Sequence, residues 1–482
     1  MPTPAESSYK TKLFPLLSVM DSRDYTGTYD DLALNCLTEI VKTDEGTQVT
    51  LLKRDGSEEI IASTGTGVVR GLYHWNANYK LFVSIGVDIY VYNALNFALI
   101  TVLTPGFAAG TSKVGFCNYL YEDGTEVIIV TDGTVLATIE ADNTVTTSAT
   151  VAATVGTHVP SPLYYDGYLV LVKSGTGDAY NSDLNDPLVW TAGNFITAEI
   201  TPDTVTDISR LNNYFILFGQ GSIEYFYNAG NPTGTPFARN DVFVKLIGLL
   251  EGSIVSYGNQ LFIVGRKNES VPEVFMLEDF KLEPISTPAI RRWLLTVGET
   301  VNGFLLSMNG HDLYVLQSAS RCYYYDIATK LWGRLGFQSD SADFPITHSY
   351  IIDGLYGQES IFVTSLNNAV LRFNSGIYQD DEVDFHVIFR TKRMDFGTNQ
   401  NKFMSSLAIL ADRSPSVGSI DVEYTDNDFM TYSTPRTINL AQERPNAQQW
   451  GRFRARALRF TYTSDDPLRI RSVEVDLNMG QT

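Results

Sequence analysis

Short apolar runs alternate with turns rich in Asn, Asp or Gly along most of the chain. Seven such turns each lead into an apolar strand, from Asn76-Ala77-Asn78 before Leu81-Phe82-Val83 to Gly357-Gln358 before Ile361-Phe362-Val363. From Leu81 to Ile361 the steps between strand centres are 46, 42, 46, 46, 52 and 48 residues. The turns between the first and the last are Asp123-Gly124, Asp166-Gly167, Asn212-Asn213, Gly258-Asn259 and Asn309-Gly310.

A repeat of about 40–50 residues with four short strands is typical of a β-propeller. The pattern therefore predicts an all-β chain with a propeller over residues 66–384. Seven turns predict seven blades, or six if the first or last turn belongs to a neighbouring domain. Third strands are predicted at Ile223–Phe226, Cys322–Tyr325 and Val370–Phe373. The polar runs Gly175–Pro187 and Asn228–Pro236 are typical of surface loops, which often carry contacts.

The pattern changes after residue 378 and alternates strictly from about Phe385, as in Ser419–Tyr424. Such alternation indicates strands with one buried and one wet face, so we predict a separate β-sandwich platform over residues 385–482. Residues 1–65 precede the repeats and contain a hairpin signal, Val49–Leu52 followed by Lys53-Arg54-Asp55-Gly56 and Ile60-Ile61. We expect this segment to join the platform. Helix signals are few, and Thr287–Leu295 is the best of them.

Charge and cysteine usage narrow the possible functions. The 482 residues include 35 basic and 55 acidic side chains, giving a net charge of −20. This balance disfavours tight phosphate-driven binding of nucleic acid and favours solubility or repulsion of a polyanion. Cys36, Cys117 and Cys322 are far apart, so we expect buried thiols in a reducing cytoplasm. Neither a secretory signal nor an apolar run of about 18 residues is present, which predicts no membrane insertion.

The sequence offers little catalytic chemistry. The histidines do not stand at metal-ligand spacing, and no Gly-x-Ser-x-Gly elbow is found. Acidic runs occur at Asp380-Asp381-Glu382 and Asp465-Asp466, but adjacent acids in one turn usually diverge rather than face each other across a cleft. We therefore predict no enzymatic activity, no cofactor and no metal site. The five histidines are His74, His158, His311, His348 and His386.

Arginines concentrate near the end of the chain. In Gly451–Arg456 they occupy alternate positions, which on a strand would place three guanidinium groups on one face. One interpretation is a docking face for an acidic neighbour, such as another copy of this chain; the other is a solvated strand paired with local carboxylates such as Glu423 and Asp421. The interface candidates are Arg452, Arg454, Arg456 and Arg459.

Three blocks of the sequence resemble the tail nozzle family of short-tailed phages, which includes the packaged-DNA stabilisation (tail hub) protein of podoviruses. The first runs from Thr206-Asp207-Ile208 through Tyr214–Gly219 to Ser222-Ile223-Glu224-Tyr225-Phe226, and the last piece is the most specific. The second is Ser182–Asp186 with Pro202-Asp203. The third runs from Gly451–Arg454 to Glu474-Val475.

The resemblance implies a homohexameric structural protein of the virion tail, made in the host cytoplasm. Such a ring lies below the portal and adaptor proteins, retains the packaged DNA and conducts it at infection. The implied partners are further copies of the chain, the adaptor, tail fibres or tailspikes, in some members a tail needle, and the passing viral DNA. No catalytic residues carry over. The alternatives are a carbohydrate-binding or glycan-cleaving propeller at a cell surface, and a cellular propeller scaffold.

Overall fold

The computed structural model of the chain describes residues 10–14, 33–43, 46–62, 67–267, 270–298, 300–318, 321–338, 344–354, 357–364, 368–412 and 418–480. Most of these residues form seven antiparallel blades and a two-sheet platform. Blade strands are given from the propeller axis outward, because first strands of several blades line the axial cavity. The predicted all-β fold with a propeller is confirmed, and seven blades are observed rather than six.

The first four blades each use four consecutive strands. Blade 1 contains Val69–Trp75, Lys80–Ile85, Asp88–Asn93 and Leu99–Leu103; blade 2 contains Gly115–Leu120, Glu126–Thr131, Leu136–Ile139 and Val145–Thr147; blade 3 contains Leu163–Tyr165, Tyr168–Val172, Asp178–Asp183 and Asp186–Thr197; blade 4 contains Val205–Leu211, Tyr214–Gly219, Ile223–Asn228 and Phe237–Lys245.

The last three blades are less regular. Blade 5 contains Gly248–Leu249, Val255–Tyr257, Gln260–Arg266, Glu273–Glu278 and Lys281–Pro284; blade 6 contains Asn302–Met308, His311–Ser318, Arg321–Asp326 and Leu331–Leu335; blade 7 contains Ile346–Gly354, Gly357–Thr364, Val370–Asn374 and, as its outermost strand, Gly56–Ile61.

Buried apolar side chains hold neighbouring blades together. Seven clusters each lie between two successive blades. The cluster between blades 7 and 1 joins Ile352 and Val363 to Leu72 and Val83, so the ring of blades is closed. The outer strand of blade 7 comes from before the propeller, since Gly56–Ile61 pairs with Val370–Asn374. This closing strand fastens the two ends of the propeller sequence to each other.

The platform consists of two sheets that share one hydrophobic core, formed by residues such as Leu407, Trp450, Phe460 and Val473. Its first sheet contains Lys10–Phe14, Cys36–Thr43, Gly46–Lys53, Lys402–Ala411, Asn446–Phe453 and Arg469–Met479. Its second sheet contains Ala33–Leu34, Val387–Arg390, Ser419–Thr425, Arg436–Asn439 and Ala457–Tyr462.

The second platform sheet is continuous with blade 6. Ala33–Leu34 pairs with Val387–Arg390 on one side and, through Leu34 and Arg334, in parallel with the outer strand of blade 6 on the other. Backbone hydrogen bonds therefore connect the platform to the propeller. Strands from before and after the propeller thus share sheets, and the domain limits at residues 65 and 384 stay predictions.

Five of the seven predicted turns join the first and second strands of a blade, and in blade 5 the turn Gly258-Asn259 joins Val255–Tyr257 to Gln260–Arg266. In blade 7 the predicted turn Gly357-Gln358 already lies in the second strand, and the connection falls on residues 355–356, outside the described ranges. All three predicted third strands are confirmed, and so is the loop before Phe237.

Two sequence predictions are wrong. Lys53–Gly56 is not a hairpin turn, because Gly46–Lys53 pairs with Cys36–Thr43 while Gly56–Ile61 leaves for blade 7. Gly175–Pro187 is not a loop but contains the strand Asp178–Asp183. Its polar side chains tolerate burial because they are hydrogen-bonded; for example, the Ser182 hydroxyl donates to the Asp183 carbonyl and accepts from the Leu169 amide.

In the part of the chain that the structure describes, short helices occupy three connections. Pro288–Leu294 confirms the best helix signal; the Thr287 hydroxyl caps it by accepting from the Ile290 amide, and Pro288 fits its first turn. Val151–Thr154 is a single turn, and Asn76–Asn78 is a 3-10 turn between two strands of blade 1. Within the described ranges, none of these helices has the length and apolarity needed to cross a membrane.

Candidate functional site

The junction between platform and propeller is built around a buried arginine. Arg54 lies where the chain leaves the platform strand Gly46–Lys53 and enters the closing strand. Its side chain and that of Asp380 are both 0% exposed. The guanidinium donates two parallel hydrogen bonds to the Asp380 carboxylate, Nη1 to Oδ1 at 2.9 Å and Nη2 to Oδ2 at 2.5 Å. Such a bidentate pair fixes both distance and orientation.

The remaining donors of Arg54 are also used. Nε donates to Asn35 Oδ1 at 2.9 Å, and Nη2 donates to the Gly336 carbonyl at 2.8 Å. The guanidinium lies 3.8 Å from the ring centroid of Phe385. Full satisfaction of its donors is what permits a charge to be buried at this depth. Arg54 thereby ties together the platform, the end of blade 6 and the segment that leaves blade 7.

Lys53 supports the same junction from the neighbouring position. Its ammonium donates to the Tyr378 and Ser464 carbonyls at 2.7 Å each and lies 4.3 Å from the Phe385 ring centroid. Burial, followed by the adjacent Arg54 charge, lowers the pKa of Lys53 to about 8. Lys53 and Arg54 therefore both lie over the Phe385 ring, and their hydrogen bonds hold segments of the propeller and of the platform together.

A second buried ion pair lies at the base of a blade 6 hairpin. His311 Nδ1 is 2.7 Å from Asp326 Oδ2, and both side chains are almost fully buried. The hydrogen bond to Asp326 raises the pKa of His311, aided by the charges of Asp326, Glu39 and Asp312. Although burial opposes ionisation, hydrogen bonds from His311 and Thr329 lower the pKa of Asp326. Glu39 belongs to the platform, so this pair also lies near the junction.

The predicted arginine face does not form as expected. Its strand ends at Phe453, after the left-handed residues Gln449 and Gly451 have broken the alternation. Arg456 turns inward and is buried. Its Nε donates to Asp426 Oδ1 and its Nη2 donates to Asp426 Oδ2, both at 2.8 Å. Its guanidinium lies 3.9 Å from the Tyr424 ring centroid. Arg456 is therefore a core residue of the platform and not part of a docking face.

The other three arginines divide into two kinds. Arg459 is half-buried, and its guanidinium approaches Glu423 Oε2 to 2.5 Å, which is the local pairing considered above. Arg452 and Arg454 are exposed at and just beyond the edge strand Asn446–Phe453 of the first platform sheet. Neither has an ion pair among the described residues. An interface role stays a prediction for these two.

The propeller encloses an axial cavity of about 580 Å³. First strands of several blades line it, and its polar walls include Tyr73, Lys113, Ser161, His348 and Tyr350. Lys113 is the one charged residue in this lining. Sequence reasoning missed this group because its members come from blades far apart in the chain.

Burial disfavours the charged forms of two ionisable groups beside the cavity, His348 and Asp207. Burial, reinforced by the charge of Lys113, lowers the pKa of His348 to about 4. Burial also raises the pKa of Asp207, against the opposing effect of Lys113. The described residues contain no group of three or more His, Cys, Asp or Glu side chains able to share a metal ion. Cys36, Cys117 and Cys322 are free thiols; Cys36 and Cys322 are buried, as expected, whereas Cys117 is partly exposed. Burial raises the pKa of Cys36 to about 12.

The most specific sequence block is structural. In Ser222–Phe226 the Glu224 carboxylate is fully buried, accepts from the Ile200 amide at 3.0 Å and lies 3.4 Å from Arg239 Nη1. Asp203 of the second block accepts from the Gly221 amide at 2.5 Å. These acids fasten the ends of blade 4 strands, so their role is to hold the blade together.

These features define a seven-bladed propeller fixed to a platform by the buried Arg54–Asp380 ion pair and a shared sheet. The sequence profile of the family described as "Bacteriophage P22 Gp10, beta-propeller" matches residues 14–340. The chain belongs to this family, the tail nozzle or packaged-DNA stabilisation family of phage structural proteins, and is a virion component. The expected family is thus confirmed. No curated protein matches the sequence.

Several solved structures are similar to this chain at low sequence identity. The virginiamycin B lyase from Staphylococcus aureus has 10% identity and a TM-score of 0.46, covering 66% of this chain and 98% of its own. The Neurospora crassa Pan2 WD40 domain has 9% identity and a TM-score of 0.43, covering 68% and 98%. The N-terminal domain of Nup159 has 11% identity and a TM-score of 0.40, covering 71% and 98%.

Proposed function

We propose that this chain is the tail nozzle subunit of a short-tailed phage, six copies of which surround the DNA-exit channel below the portal and adaptor. The family match over residues 14–340 carries this proposal. In this role the ring retains the packaged genome and conducts it at infection. Fibres or tailspikes, and in some particles a needle, would attach to the same ring.

The construction of the junction suits a mechanical role. A nozzle must resist the pressure of packaged DNA without its domains separating. The nine-stranded sheet shared by blade 6 and the platform, with the Arg54–Asp380 pair beside it, resists relative movement of the two parts. Rigid coupling of this kind transmits force from a channel-forming part to a peripheral part.

The acidic composition fits the passage of DNA. With a net charge of −20, the chain has few cations to contact phosphates, so a wall made from it would hold moving DNA weakly. We expect the lumen of the assembled ring to be acidic or neutral. A lumen rich in Lys and Arg would contradict this part of the proposal.

Electron microscopy of the particle tests the proposal directly. The expected result is a six-fold ring of this chain, coaxial with the portal and distal to the adaptor. The purified chain, mixed with its adaptor, should give the mass of six copies by native mass spectrometry. A chain that remains monomeric with the adaptor and occupies no ring in the particle would overturn the proposal.

A carbohydrate-binding role is the second candidate, and the axial cavity favours it. Two tyrosines, a neutral histidine and several hydroxyl groups line a volume of about 580 Å³, which suits a hydroxylated small molecule. Calorimetric titration with oligosaccharides of the host surface would test it. Binding that a Tyr350→Ala variant abolishes, together with failure to form a ring, would favour this candidate over the nozzle.

A further inference from the structure

A second concave surface lies on the rim of the propeller, between the outer strands of blades 4 and 5. We call it the rim cleft and define it by Val242, Lys245, Lys267, Lys281 and Arg291, which line it. Its volume is about 960 Å³, larger than the axial cavity. Unlike that cavity, it lies among outer strands, where another macromolecule can reach it.

The charge of the rim cleft is opposite to that of the chain. Its lining contains four cations, Lys245, Lys267, Lys281 and Arg291, and two carboxylates, Glu273 and Asp279. The whole chain, by contrast, has 35 basic and 55 acidic residues. A local excess of cations on an acidic protein is a specific electrostatic feature, because it attracts acidic groups that the net negative charge of the chain repels.

Internal pairing leaves part of this positive charge available. Arg291 Nη1 is 2.8 Å from Glu273 Oε1, so that cation is already neutralised. Lys281 Nζ is 3.9 Å from Glu283 Oε2, a loose and exposed pair. For Lys245 and Lys267 no ion pair is found within the part of the chain that the structure describes. These two lysines are thus the groups most able to bind an external carboxylate.

Apolar side chains are exposed beside these lysines. Val242 is 81% exposed, Leu246 52% and Val271 41%. The local backbone explains the first of them: Ile223 pairs with Lys245 but Tyr225 pairs with Asn240, so the intervening residues bulge out of the blade. Bulges at sheet edges frequently redirect side chains for a purpose. Adjacent exposed apolar groups rimmed by charge are typical of protein-binding surfaces.

We propose that the rim cleft binds an acidic segment of another protein of the particle, with apolar side chains among its carboxylates. Lys245 and Lys267 pair with the carboxylates, while Val242, Leu246 and Val271 cover the apolar side chains. A concave cleft of about 960 Å³ suits an inserted segment better than a convex domain surface. The inference rests on the proposed function only in that the partner is a component of the same particle.

Zero-length cross-linking of intact particles tests this inference. A carbodiimide joins a lysine amine to a carboxylate only where the two are in contact, and peptide mass spectrometry identifies both. We expect Lys245 and Lys267 to be joined to Asp or Glu residues of a different protein. The exposed Lys330 and Lys392, on other surfaces, serve as reference lysines. Cross-links from the cleft lysines only to a second copy of this chain, or none at all, would overturn the proposal.

Two double variants separate charge from reactivity. Lys245→Arg with Lys267→Arg keeps the charge but removes the reactive amines, so the cross-link should vanish while the partner stays in the particle. Lys245→Glu with Lys267→Glu should lower the partner's copy number about tenfold, since reversed charges repel its carboxylates. Undiminished partner content in the Glu variant would contradict the proposal. The ring of six is scored on the same particles, so failure of the nozzle assignment is seen separately.

Discussion

Arg54 and Asp380, 326 positions apart in the chain, form a bidentate ion pair with both side chains 0% exposed. One partner lies at the entry to the propeller and the other just after its exit. The pair therefore closes a loop that contains every blade. Closing so long a loop costs chain entropy on folding. Burial also removes both charged groups from water, and their hydrogen bonds within the protein offset that desolvation cost.

Removal of Asp380 should destabilise the protein strongly. In Asp380→Ala the Arg54 guanidinium loses its counter-ion at a site where water does not reach it. Loss of one partner of a buried pair costs about 3–5 kcal/mol. Unfolding in guanidinium chloride, followed by intrinsic fluorescence, measures the decrease in the free energy of unfolding.

The adjacent residue supplies the control for this variant. Asp381 has a left-handed backbone with φ of 48°, which asparagine adopts readily, so Asp381→Asn keeps the turn and changes one charge. Its stability should stay within about 0.5 kcal/mol of the parent protein. Equal losses in the two variants would show that the pair has no special importance.

The closing strand gives a steric prediction. A Cβ atom added at Gly56 would lie 2.1 Å from the Gln379 carbonyl oxygen, which is backbone and cannot move aside cheaply. Gly56→Ala should therefore lower stability by about 1–3 kcal/mol. Amide exchange should report the loss first in Gly56–Ile61 and Val370–Asn374, the strands that separate. Gly110→Ala, where nothing lies within 4 Å, is the matched control and should be neutral.

The repeat itself was readable from sequence because each blade is local. A turn such as Asp166-Gly167 and its two strands lie within a few residues of one another, so turn chemistry and alternation suffice. The closing strand was not readable, since Ser57 pairs with Phe373 across most of the chain and no local signal marks that choice. Asp55-Gly56 looks like a hairpin turn, but tertiary pairing overrides it.

The candidate residues show the same division. Alternation suggested one shared face for Arg452, Arg454 and Arg456, and the burial of Arg456 against Tyr424 could not be read from that spacing. The rim cleft was also beyond sequence reasoning, because Lys245 and Lys281 meet only when two blades pack side by side. The family, in contrast, was recognisable from the blade 4 strands.

The His311–Asp326 pair makes stability depend on pH in a defined window. The pKa of His311 is raised from its ordinary 6.5, so its contribution is full below pH 6.5 and is lost as pH rises through the folded-state value. The pKa of Asp326 is lowered from 3.8, so its contribution is full above pH 3.8 and is lost as pH falls further. The pair therefore stabilises most between these two values.

Urea unfolding of His311→Gln across pH 5 to about 8.5 checks this window. The free energy of unfolding of the parent protein should fall as pH rises above 6.5, and in the variant this fall should be smaller. Asp326→Asn should reduce this pH-dependent fall in stability by the same amount. The double variant should reduce it no further than either single change does. Additive effects on the pH dependence would show that the two groups titrate independently.

Lys53 should produce the opposite trend at higher pH. Its pKa falls from 10.5 unfolded to about 8 in the folded protein, so the charged form is disfavoured on folding. Stability should rise as pH increases from 8 to 10.5, because the folded state releases its proton first. Lys53→Met removes this rise. Denaturant unfolding at both ends of the range measures it, and Lys392→Met, at an exposed position, should leave the rise unchanged.

Three of the four arginines proposed from the sequence should separate into one folding residue and two assembly residues. Arg456→Ala empties a buried site and removes the contacts of the guanidinium with Asp426 and the Tyr424 ring, so it should cost at least about 2 kcal/mol of stability. Arg452→Glu with Arg454→Glu changes two exposed side chains and should leave unfolding within about 0.5 kcal/mol of the parent. If these two arginines dock against an acidic neighbour, the double variant should nevertheless shift the population from hexamer to monomer in native mass spectrometry with the adaptor.

Arg452→Lys with Arg454→Lys retains the charge and should assemble normally. Normal hexamers in the Glu variant would remove both residues from the interface and direct attention to other edges of the platform.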